Sequence, residues 1–209
     1  MCLMVYHGRD AVPLVGAELE RAAARNPDSM GLMWQHDRAV HTWRSLEDWP
    51  QLLDRIRRLE TKRRPFAVHF RYATHGAISL DNAHPIIVNP NVALMHNGIL
   101  FEYGKDPAQS DTRVFSNTIL RQLPRQWWRN RAIVSMVEQA TSPSKCILMT
   151  PDQTVLLNKH LGVWHRGSWW SNTDFQEFRG HVRKVLPEYS QAIPRAYAQG
   201  DIDDDAGVE

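Results

Sequence analysis

His69-Phe70-Arg71-Tyr72-Ala73-Thr74-His75-Gly76 closes an apolar stretch that begins at Pro65, and its reading decides how the rest of the chain is arranged. Residues 65–72 read as a strand that ends in a polar loop. An Arg at the end of such a strand can hold a carboxylate through a bidentate pair. Taken alone, Arg71 reads equally well as a surface residue. Asn82-Ala83-His84-Pro85 follows in the same loop. A second strand, predicted over 92–95, runs directly into His96-Asn97-Gly98. An Asn amide beside a Gly backbone N–H can form an oxyanion hole. Asn-Gly by itself is also the commonest type I′ hairpin turn. Gln109-Ser110-Asp111-Thr112 then opens a helix predicted over 112–123. Asp111 is a candidate N-cap and a candidate acceptor for a substrate ammonium, and the two roles are compatible.

Upstream, residues 2–8 read as a short strand that carries Cys2 at its start. Removal of Met1 would leave a thiol and a free α-amine on one residue. That amine, with a pKa of about 7.7–8.0, can act as general base for its own side chain. Position alone favours a different reading, because free Cys is among the most buried residue types. A helix is predicted over 14–24, broken by Asn26-Pro27-Asp28-Ser29, with strands over 30–35 and 39–43 around the turn His36-Asp37-Arg38. Ser45 is read as the cap of the next helix, with Asp48 three residues on. Leu46, Trp49, Leu52, Leu53 and Ile56 fall on one face of that helix. Another helix is predicted over 127–140, and a hairpin over 146–158 around Pro151-Asp152-Gln153. Strands and helices mix without strict β-α-β alternation, which favours a layered α+β fold.

Bulk properties exclude several classes. The chain has 209 residues and a net charge of +2, so nothing in its charge balance demands nucleic acid or an anionic membrane. The basic runs Lys62-Arg63-Arg64 and 125–131 lack the accompanying aromatic stripe of a nucleic-acid module and read as solvated faces. No apolar run reaches a membrane span, and the first residues lack signal-peptide character, so a cytoplasmic location is expected. Two cysteines make no disulfide framework. No His pair has helical i, i+4 metal-ligand spacing, so no metal or other cofactor is expected. Trp127, Trp128, Trp164, Trp169 and Trp170 read as core rather than partner surface. A single domain is expected over 2–200, with 201–209 an acidic, disordered tail.

Each chemical signal is modest singly, but their order is specific. Cys2, then H-F-R-Y-A-T-H-G, N-A-H-P, H-N-G and S-D-T together resemble the class II glutamine amidotransferases, over a little more than half the chain. Those proteins are N-terminal-nucleophile hydrolases, so the resemblance implies a four-layer α-β-β-α sandwich. It further implies Cys2 as nucleophile and Asn97 with Gly98 as the oxyanion hole. Arg71 would take the glutamine α-carboxylate and Asp111 the α-ammonium, while Thr74 and His75 shape the pocket. Glutamine would be the substrate, and a separate synthetase or ligase would accept the ammonia. Two other activities share this head-group recognition: a γ-glutamyl hydrolase acting on a larger amide, and a non-catalytic domain that binds glutamine or a partner. The sequence departs from the family at Tyr72, where Trp is frequent, and at Phe101-Glu102, where an Asn often follows the H-N-G loop.

Overall fold

The structure, a computed structural model, describes residues 2–74 and 76–177. The predicted tail and the C-terminal part of the predicted domain lie outside those residues. Among the described residues ten strands form two sheets, and every pairing among them is antiparallel. The first sheet contains β1 (Leu3–His7), β2 (Ser29–His36), β3 (Ala39–Ser45), β4 (Phe66–Arg71), β9 (Val163–His165) and β10 (Ser168–Trp170), in the order β3-β2-β4-β1-β10-β9. The second contains β5 (Ile86–Asn89), β6 (Val92–Asn97), β7 (Lys145–Met149) and β8 (Thr154–Leu157), in chain order.

Successive strand residues face opposite sides of a sheet, and the packing follows that alternation. Leu3, Val5, Phe66, Val68 and Phe70 join Leu19 and Ala22 of α1 (Gly16–Arg25) and Leu52, Ile56 and Leu59 of α2 (Trp49–Thr61) in one cluster. Leu94, Cys146 and Leu148 pack with Phe115 of α3 (Asp111–Thr118) and Val137 of α4 (Arg131–Thr141) in a second. The intervening residues of the same strands meet between the sheets: Met4, Met33, Ala67, Ala93, Met95, Ile147, Met149 and Trp169. Four methionines in that layer suit two twisted surfaces that must fill irregular gaps. Helix, sheet, sheet, helix is therefore the order of layers, and the expected four-layer α+β sandwich is borne out.

Several local expectations need correction. Ser45 does not cap α2; its Oγ accepts from the N–H groups of Glu47 and Asp48 in the preceding turn. Asp48 is the N-cap, accepting from Gln51 N–H, and Pro50 sits in the first turn, where a missing N–H costs nothing. Ser110, not Asp111, caps α3, and that helix ends at Thr118 before a separate 3-10 turn at Leu120–Gln122. The helix predicted over 127–140 is interrupted at Asn130, whose side chain accepts from Ala132 and Ile133 N–H and starts α4 afresh. Trp169 and Trp170 are fully buried and Trp127 nearly so, whereas Trp164 is 62% exposed on β9. Among the described residues no helix is long and apolar enough to cross a membrane.

Candidate active site

Three of the rows that face between the sheets end at the same edge of the sandwich. Met4 is preceded by Cys2 at a spacing of two, and the row Ala67–His69 on β4 continues to Arg71. On β6 the row Ala93–Met95 continues to Asn97. Leu3 pairs with Phe70, which sets residue 2 beside the end of β4. Cys2 Sγ lies 3.4 Å from both the carbonyl oxygen and the N–H nitrogen of Tyr72, donating to the first and accepting from the second. The fourth row, from β10, brings Trp169 and then Ser171. Ser171 Oγ accepts from Met4 N–H and from Asn97 Nδ2, both at 2.8 Å, so it ties the two sheets together where the rows end. Asn97 is 1% exposed, and its Oδ1 has no partner among the described residues. One Nδ2 hydrogen is engaged by Ser171, which leaves the second.

Gly98 follows with φ +148°, and a Cβ there would lie 2.0 Å from Ser144 Oγ. Only a residue without a side chain can pass this point. The chain then bends back so that Leu100 N–H reaches Asp111 Oδ2 at 2.7 Å. The other Asp111 oxygen accepts from Thr112 N–H at 2.7 Å and from its hydroxyl. Asp111 thus fixes the loop after Asn97-Gly98 instead of capping its own helix. The loop after β4 is held just as firmly. Arg71 donates to the carbonyls of Ala77 and Gly76. Asn82 Nδ2 donates to Ala77 and Ala108 carbonyls, and its Oδ1 accepts from Ser110 N–H, which is the work of the N-A-H-P segment. Gly76, at φ +73°, lies against the backbone of Gln109-Ser110 too closely for a Cβ.

Burial pushes the Cys2 thiol up, while the Tyr72 N–H and then the Arg71 charge act against that rise. Burial also works against the Arg71 charge, and Cys2, Asp28 and Asp111 sustain it. Cys2, Arg71 and Asp111 are therefore close enough to act on one another electrostatically. Thr74 is exposed and lines an open groove of about 440 Å³ with Ala73, Gly104, Lys105 and Pro107. His75 lies outside the described residues. Among the described residues no group of three or more His, Cys, Asp and Glu could hold a metal ion.

Sequence reasoning missed three residues here. Asp28 accepts from Ala73 N–H at 2.6 Å and donates its own N–H to the Arg71 carbonyl, clamping the loop from the far side. Asn172 Nδ2 donates to the Cys2 carbonyl at 2.8 Å and so anchors the N-terminal strand beside the thiol. Ser171 is the third. Its signal was present in the chain: a Ser-Asn pair directly after a buried Trp-Trp strand end has polar groups that must find partners.

No protein-family model matches the chain. It is 33% identical over 92 residues to a glutamine–fructose-6-phosphate aminotransferase (isomerizing) of Acidithiobacillus ferridurans, covering 44% of this chain and 15% of that protein. The protein of the same name from Aquifex aeolicus is 34% identical over 106 residues, covering 49% and 18%. The chain thus spans less than a fifth of the length of the curated relatives it matches. Among solved structures, glutamine phosphoribosylpyrophosphate amidotransferase from B. subtilis, complexed with ADP and GMP, aligns with a TM-score of 0.49 at 16% identity, over 81% of this chain and 41% of that one. A glutamine aminotransferase class-II domain protein from Silicibacter pomeroyi aligns with a TM-score of 0.44 at 13% identity, over 81% and 87%. The motif order, the four-layer sandwich and the likeness in sequence support a class II glutamine amidotransferase domain of the N-terminal-nucleophile type.

Proposed function

We propose that this domain hydrolyses the side-chain amide of glutamine and passes the ammonia to a separate synthetase or ligase. The observation that carries the reading is the convergence of Cys2, Arg71 and Asn97 at the ends of adjacent inter-sheet rows, with Asp111 within electrostatic range. In this reading Met1 is removed and the Cys2 α-amine takes the thiol proton as Sγ attacks the amide carbon. The tetrahedral oxyanion receives the second Asn97 Nδ2 hydrogen and the Gly98 N–H. The amine returns the proton to the departing nitrogen, which leaves as ammonia, and a γ-glutamyl thioester remains. Water then adds to the thioester, glutamate leaves, and the thiol regains its proton. Arg71 takes the substrate α-carboxylate and Asp111 the α-ammonium, so both ends of the zwitterion are neutralised.

Two measurements test the reading directly: intact mass of the purified protein, for loss of Met1, and ammonia and glutamate release from glutamine. An electrophilic glutamine analogue should add one equivalent to Cys2. A protein that keeps Met1, releases no ammonia and takes no adduct would overturn the mechanism. Asn97→Ala is expected to lower kcat about 10²–10³-fold with little change in KM, as loss of one oxyanion donor does. Arg71→Lys should raise KM for glutamine about tenfold or more, because a point charge does not reproduce the bidentate fork.

The open groove beside Ala73 and Thr74 favours a second reading, a γ-glutamyl hydrolase whose leaving group is larger than ammonia. Competition between glutamine and a γ-glutamyl anilide, scored by kcat/KM, separates the two. A third reading, binding without turnover, is excluded by any Cys2-dependent ammonia release.

A further inference from the structure

We propose a second binding site, for inorganic phosphate or a terminal phosphomonoester, in the cavity at the opposite end of β1 from the thiol. Five residue steps along β1 separate Cys2 from His7, about 17 Å of extended chain, so this cavity is distinct from the glutaminase centre. It has a volume of about 190 Å³ and is lined by His7, Arg9, Arg63 and Arg64 together with Asp10 and Glu60. That is too small for most drug-sized ligands and ample for a tetrahedral anion with a small substituent.

Several of its donors are not used by the fold. His7 is 4% exposed and stacks on Phe66, with ring centroids 4.7 Å apart. Its Nδ1 meets Ser168 Oγ at 2.9 Å, while Nε2 has no partner among the described residues. An imidazole nitrogen left free at the cavity wall can donate to a bound anion. With Ser168 donating to Nδ1, the neutral ring carries its hydrogen on Nε2. Arg9 is exposed, and its guanidinium has no partner among the described residues. In the turn closed by Ala11 N–H to the Gly8 carbonyl, the backbone N–H groups of Arg9 and Asp10 are likewise unspent among those residues.

The two carboxylates are already committed. Asp10 pairs with Arg63 at 2.8 Å on the surface, and Glu60 accepts from Leu14 N–H at 2.6 Å. Arg64 donates to His36 Nε2 at 3.1 Å, which keeps its fork at the cavity wall. What remains is a surplus of planar guanidinium, imidazole and backbone donors around a small space. A carboxylate offers too few acceptor oxygens for that set, whereas a phosphate offers three or four.

The test titrates inorganic phosphate into the full chain by calorimetry, with the His7 ring nitrogens followed by NMR. Binding at about 1 mM or tighter is expected, with movement of the His7 Nε2 resonance. Arg9→Ala and Arg63→Ala should each weaken it about tenfold. Both side chains are exposed, so the fold should survive either change. Cys2→Ala should bind phosphate as the parent does, so the result stands apart from the glutaminase reading. Absence of binding, binding unchanged in Arg9→Ala, or binding that leaves His7 unmoved would overturn the proposal.

Discussion

Cys2→Ala is expected to abolish ammonia release from glutamine, lowering kcat by about 10⁴-fold or more, as loss of a nucleophile does in hydrolases that act as a unit. Cys2 supplies the one thiol at the site among the described residues. The other cysteine, Cys146, is buried among the residues beneath α3 and α4, and burial with the nearby Asp111 charge pushes its thiol up to about 12. A thiol held so far from its anion is not a nucleophile. The substitution should cost the fold little. The described hydrogen bonds of Cys2 Sγ are two long contacts to the Tyr72 backbone, and the strand stays anchored by Asn172 on the Cys2 carbonyl. Cys2→Ala should therefore melt within a few degrees of the parent while binding glutamine. Protein forced to retain Met1 should be equally inactive, because residue 2 then has no free amine. An active Cys2→Ala protein would remove the thioester from the mechanism, and an unfolded one would move Cys2 into the core.

The fold was legible where side-chain period decides structure. Strands 2–8, 65–72 and 92–95 were readable because their apolar residues feed two different layers, and the extension of those rows put Cys2, Arg71 and Asn97 at one edge. What could not be read was pairing across long separations. Ser171 and Asn172 act on Met4, Asn97 and Cys2, and nothing local to residues 171–172 names those partners. β5 went unread because four residues between Pro85 and Pro90 give too short a pattern. Helix starts were misplaced where two capping residues compete. Ser45 and Asp48, and Ser110 and Asp111, are all competent caps, and the choice falls to the residue whose backbone leaves the strand or loop at the right angle. Asp111 shows the consequence: the carboxylate spared from capping secures Leu100 beyond the Asn97-Gly98 loop.

Acid should unfold this protein far more steeply than its net charge suggests. His69, His84 and His96 are buried together behind the site, with the His69 and His84 rings 4.2 Å apart. His69 Nε2 meets the His96 carbonyl at 3.1 Å, and His96 Nδ1 meets Thr112 Oγ1 at 2.8 Å. His69 Nδ1, His96 Nε2 and both His84 nitrogens have no partner among the described residues. Burial lowers His69 to about 3 and His96 to about 4, and takes His84 well below its ordinary range. Neighbouring Arg71 and Lys145 oppose protonation as well, while Asp111 favours it at His96. The sign follows from linkage. Unfolded, each ring takes a proton near pH 6.5; folded, it stays neutral until far lower pH. The stability these rings confer is whole above pH 6.5 and is lost as pH falls toward 4. Each contributes a slope of about 1.4 kcal/mol per pH unit, so His69 and His96 together give roughly 3 kcal/mol per unit between pH 6 and 4, with His84 adding in the same direction. Against a total stability of about 5–15 kcal/mol, cooperative unfolding is expected near pH 4–5. Urea midpoints measured at half-unit steps from pH 7 to 4 give the slope. His84→Phe should lower it by about a third, because Phe keeps the stacked ring and has no nitrogen to protonate. The slope is the informative quantity, since it is insensitive to any packing loss from the larger ring. A stability that is flat between pH 6.5 and 5 would show that these histidines are already protonated in the folded chain, and that their neutral, unpartnered packing is wrong.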